Sequence, residues 1–180
     1  MAAITSKPEA GTSVEPETTK QQGFKGSALV LPALFFIAWG WALSGATAPG
    51  TKTIDGSALA NLHWILYFAG FVFLFSSVMH SVFAKSMAES IGWKTNGFQQ
   101  ELAAVSLGLG IACFYSVSNG LAAMTTVSIP IIAFLFLAGV NHVAEIVQKQ
   151  NYAPNNTLIL IWDFGVSISL VALLVSIGQI

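Results

Sequence analysis

Five apolar stretches, each close to the ~20 residues a helix needs to cross ~30 Å of hydrocarbon, decide what this chain can fold into. They run roughly over 27–45, 62–84, 98–118, 127–147 and 158–178. Between them lie the breakers and charges: Pro49, Lys52 and Asp55, then Lys85, Glu89 and Lys94, then Asn119-Gly120, then the polar run from Gln148 to Asn156. No stretch alternates with period two, as a barrel strand must, so helices are the spanning elements. Pro130 reads as a first-turn proline of the fourth span, where a missing N–H orphans nothing. The expected fold is all-α, an integral membrane bundle of five transmembrane helices over 26–180. Residues 1–25, rich in Pro, Thr, Ser and Gln, read as a disordered cytoplasmic tail with too little apolar surface to offset its ordering entropy. The first span is read as a retained anchor, because its apolar run exceeds a usual signal-peptide core, and it is expected to pack at the periphery.

Only 8% of the residues are charged, against about 25% in an ordinary soluble domain. All seven basic residues are lysine, so there is neither a basic patch for nucleic acid nor an arginine fork for phosphate. The partner that composition implies is the lipid bilayer; partner subunits and a homo-oligomer stay open. Cys113 is the sole cysteine and reads as a small apolar filler.

The lysines also orient the chain. Lys7, Lys20, Lys25, Lys85, Lys94 and Lys149 fall on one side of the bundle and Lys52 on the other, which predicts a cytoplasmic N-terminus and an external C-terminus in the plasma (inner) membrane. Trp39, Trp41 and Trp64 then fall near the outer interface, and Trp93 and Trp162 near the inner one, as belts. His63 beside Trp64 reads as an interfacial anchor.

Ionisable residues inside spans are costly and each needs a reason. His80, Glu101, His142, Glu145 and Asp163 sit at one depth, within ~10 Å of the inner face at 1.5 Å per residue, because alternate helices run in opposite directions. Helical spacing puts Glu101 on a face with Ala104, Gly108 and Ala112, His142 with Ala138 and Gly139, His80 with Ser76 and Ser77, and Asp163 with Ser167, so that His80, Glu101, His142 and Asp163 are expected to look inward. Two imidazoles and two or three carboxylates suit a metal ion such as Zn, Mn or Fe, and His142 with Glu145 has the i, i+3 spacing of bundle metal sites in reversed order. Two histidines on non-adjacent spans also suit a haem. Proton or small-solute transport and plain interhelical glue in a scaffold or accessory subunit are the competing readings. A transporter is disfavoured by the lack of internal repeats. No Ser-His-Asp set, phosphate loop or Cys-x-x-Cys is present.

Between His80 and Asp163 the chain carries a set of motifs: His80 with Phe83, Ile91-Gly92-Trp93, Phe98-Gln99 with Glu101, Gly139 with His142, Asn151 with Ala153-Pro154 and Asn156, then Asp163. In these it resembles an uncharacterised family of bacterial multi-pass membrane proteins, a domain of unknown function. It departs from that pattern at Gly97, Asn141 and Asn155. The resemblance implies a compact helical bundle and no activity, and its motif positions include His80, Glu101, His142 and Asp163. Gln99, Asn151 and Asn156 are expected either to form a polar lid over these groups or to serve as turn and cap residues.

Overall fold

The computed structural model describes residues 26–50 and 56–180. The tail over 1–25, its three lysines, Lys52 and Asp55 lie outside the described residues. A 3-10 turn, Gly26–Leu29, leads into α1 (Val30–Leu43). There follow α2 (Ser57–Ser81), the short α3 (Ala84–Ser90), α4 (Phe98–Ser118), α5 (Leu121–Lys149) and α6 (Pro154–Ser176). Among the described residues there is no strand. The 3-10 turn with α1, and each of α2, α4, α5 and α6, is long and apolar enough to cross a membrane. The chain is thus an all-α bundle with five membrane-span helices.

The helices are longer than hydropathy alone outlines, because polar ends such as Ser57 and Lys149 stay helical beyond the apolar run. Pro130 consequently lies in the interior of α5 and not in its first turn. Proline is tolerated inside spanning helices because neighbouring helices, Ser/Thr side chains and local adjustments re-satisfy the backbone group it frees.

Two helices organise the packing. α2 lies against α4, α1, α6 and α5, and α6 lies against α5, α1 and α2. The core between them is aliphatic: Leu62, Ile65 and Leu66 of α2 meet Val166, Leu170 and Leu174 of α6, with Met124 and Ile131 of α5. The α2–α4 contact is close because both helices present glycine to it. A Cβ on Gly110 would stand 2.8 Å from Leu74 Cδ2 and 3.1 Å from the backbone oxygen of Gly70. A close approach of this kind supplies dispersion contact where lipid removes most of the hydrophobic driving force.

α1 is the least buried span, yet it is fastened. Trp39 Nε1 donates to Ser169 Oγ at 3.0 Å, and Phe35 fills the space over Gly165 of α6. Trp64 is buried, donates to Ala46 O at 2.7 Å and stacks on Trp41. Trp162 and His63 are buried too, and His63 Nδ1 donates to Leu59 O at 2.8 Å. The belt reading therefore fails for Trp64 and Trp162, and the anchor reading for His63: all three rings pack inside the bundle, and the polar atoms of Trp64 and His63 find partners there.

Candidate functional site

The C-terminus of α2, all of α3, the N-terminus of α4, the C-terminus of α5 and the N-terminus of α6 meet at one end of the bundle. Two loops there key into each other. α5 ends at Gln150, held in the left-handed region at φ +55°, and Asn151 N then donates back to Glu145 O at 3.2 Å. This reversal turns Asn151 inward. Its Nδ2 donates to Ile91 O at 2.9 Å and its Oδ1 accepts from Ala153 N at 3.2 Å, so one side chain ties the loop after α3 to the start of α6. Gly92 makes the approach possible: φ is +79°, and a Cβ would lie 2.8 Å from Asn151 Oδ1. Pro154 then opens α6 at its first position, where no N–H is needed.

Beneath these loops lies a buried polar group. Asn156 is fully buried; its Nδ2 donates to Asn151 O at 3.0 Å and to His142 O at 3.4 Å. Its Oδ1 is 2.7 Å from His142 Nδ1. The other imidazole nitrogen, Nε2, faces Asp163 Oδ2 at 4.0 Å. Asp163 is only 2% exposed, and no protein donor reaches that oxygen. Trp93 lies flat on the His142 ring, with centroids 5.4 Å apart and planes 22° apart, and its own buried Nε1 also lacks a protein partner. Seven residues separate His142 from the end of α5, which puts the pair about 10 Å below that end.

The structure thus brings together two of the five ionisable residues singled out by depth. His80 is half-buried beside Gln99 Nε2, 3.5 Å from its Nδ1, while Gln99 also donates to Ala84 O and accepts from Thr95 Oγ1. Glu145 turns to Lys149, with Nζ at 2.5 Å, in an i, i+4 pair at the helix end. Glu101 is exposed in the first turn of α4. The face expected for it is not the packed one: α4 turns Ala103, Ser106, Gly110, Cys113 and Val117 inward, whereas Ala104 is exposed and a Cβ at Gly108 would meet nothing within 4 Å. Α carboxylate in that first turn suits the helix dipole and the nearby water.

This donor set does not fit a resident metal or haem. Among the described residues no group of three His, Cys, Asp or Glu side chains converges to hold a metal ion, and structural zinc takes four ligands, catalytic zinc three. His80 and His142 engage separate amide side chains, Gln99 and Asn156, and not a common axis. Asn156 and Trp93 enter as site residues that sequence reading placed elsewhere, in a lid and in a belt. The Asn-x-Ala-Pro-x-Asn spacing was the available signal for the first.

A family of unknown function, DUF6790, has a model that matches residues 28–178. The chain belongs to this family. The match takes in all five spans, so α1 is a family element along with the rest. No curated protein and no solved structure matches the chain. An apolar groove of about 470 Å³ between α4 and α5, lined by Leu109, Ala112, Tyr115, Thr126 and Pro130 among others, takes in neither His142 nor Asp163.

Proposed function

We propose that this DUF6790 protein binds a small polar ligand between His142 and Asp163, within the membrane-spanning part of the bundle. The observation that carries the reading is Asp163 Oδ2: a carboxylate oxygen buried without a protein donor, facing an imidazole nitrogen at 4.0 Å. A buried acceptor left unmade costs about 1–3 kcal/mol and calls for an explanation, which a bound ligand supplies. Asn156, Asn151 and Gly92 hold the imidazole in place, and Trp93 walls it on one face. The test is a solute series on the purified full chain in detergent, covering divalent metal ions, small amines and small alcohols, read by thermal shift. At least one class should stabilise the wild type and leave His142→Ala unmoved. If every class acts equally on both proteins, the pair is not a ligand site.

The second reading, helix glue in a scaffold or accessory subunit, is favoured by the amide network itself, since Asn156 and Asn151 join three segments. It accounts for the amides and leaves Asp163 unexplained.

For orientation, the lysine asymmetry supports a cytoplasmic N-terminus and puts the ligand site in the inner leaflet of the plasma membrane. Reporter fusions after Ile180 should then read external, and fusions between Lys85 and Gly97 cytoplasmic. A cytoplasmic signal at Ile180 would reverse the assignment.

A further inference from the structure

We infer that the seat between His142 and Asp163 takes a small N–H cation of the ammonium or primary-amine class. The inference rests on the reading of this pair as a ligand site and names its ligand.

Hydrogen-bond accounting fixes the polarity of the seat. Asn156 Nδ2 faces two backbone carbonyls, at 3.0 and 3.4 Å, and carbonyls only accept. The amide oxygen is therefore the atom that meets His142 Nδ1, and at 2.7 Å that nitrogen carries the hydrogen. In a neutral imidazole Nε2 then presents a lone pair, and it presents it to Asp163 Oδ2. With Asp163 ionised, two acceptors face each other at 4.0 Å, too far for a direct hydrogen bond. A single atom placed about 2.9 Å from each subtends an angle of about 90° between them, which two tetrahedral N–H bonds reach with modest bending.

Charge points the same way. Among the described residues the ion-pair partner of Asp163 is His142 alone, and Lys149 is committed to Glu145. An ionised carboxylate this deep needs a countercharge, and Lys149 does not supply it. A guest bearing both N–H groups and a positive charge meets both requirements at once. Alkali ions fit poorly, since they carry no N–H and one side of the seat is an imidazole nitrogen. Divalent ions ask for more ligands than two.

Potassium and ammonium are close in size and differ in N–H groups, which makes them the decisive pair. The full chain in detergent should gain thermal stability in ammonium chloride and in methylammonium chloride over potassium chloride at equal ionic strength. The gain should grow by roughly 3–5 °C for each tenfold of free ligand above Kd. Asp163→Asn should lose the difference. On the wild type, NMR of the His142 ring should show Nε2 shifting with ammonium and not with potassium, a readout that does not depend on the variant folding. Equal responses to ammonium and potassium would overturn the inference, because the pair would then be satisfied by a proton of its own. An ammonium effect that survives in Asp163→Asn would overturn it as well. A divalent ion or an alcohol that stabilises the wild type alone, with ammonium inert, would overturn the N–H cation and leave the ligand-site reading standing.

Discussion

Asn156→Ala should destabilise the protein by about 3 kcal/mol, or lower its Tm by roughly 6–12 °C, the largest loss expected from any single change at this end of the bundle. The side chain is fully buried and makes three hydrogen bonds, to His142 Nδ1, Asn151 O and His142 O. An interhelical hydrogen bond within a membrane averages only ~0.6 kcal/mol, so three bonds alone would account for about 2 kcal/mol. The remainder comes from what alanine leaves behind: a buried imidazole nitrogen and two backbone carbonyls without the partner they had. Asn155→Ala is the control. Asn155 is half-buried, and none of the hydrogen bonds of the amide network involves its side chain; its loss should stay within about 0.5 kcal/mol. Thermal denaturation of both variants in one detergent measures the difference. Equal, small effects would mean that the amide network does not hold the site.

The sequence disclosed the spans because a bilayer imposes a length and a polarity that few other folds share. It disclosed the depth of His142 and Asp163 for the same reason. Facing was harder. α4 carries two stripes of small residues: Ala104, Gly108 and Ala112, and Ala103, Ser106, Gly110 and Cys113. Spacing alone rates them alike, and the second is the one that packs, because Gly110 meets Gly70 across the α2–α4 contact. That choice is made by the partner helix, and with it Glu101 goes to the surface. The partners of His142 were illegible for a related reason. Asn156 reaches it only because Gln150 reverses the chain in a left-handed conformation that sequence usually reserves for glycine or asparagine. Trp93 reaches it only because Gly92 lets the preceding loop close on Asn151. Both contacts depend on backbone geometry in short loops, where hydropathy carries no signal. Glu145 shows the opposite limit: its spacing from His142 suited a shared site, but a lysine one turn on offered a nearer partner at the water-exposed end.

If Asp163 is kept for a ligand at the expense of stability, as we propose, Asp163→Asn should not weaken the fold. The substitution keeps the shape and leaves a neutral amide across the 4.0 Å gap from His142 Nε2, where an ionised Asp163 would bury a charge. Residues retained for binding commonly cost stability, and replacing a poorly satisfied buried charge by a neutral group is often stabilising. In potassium buffer without amine, the Tm of Asp163→Asn should equal that of the wild type or exceed it, by up to roughly 8 °C for a gain of about 2 kcal/mol. A Tm clearly below the wild type in the same buffer would make Asp163 part of the glue that holds α5 to α6, and would contradict the claim.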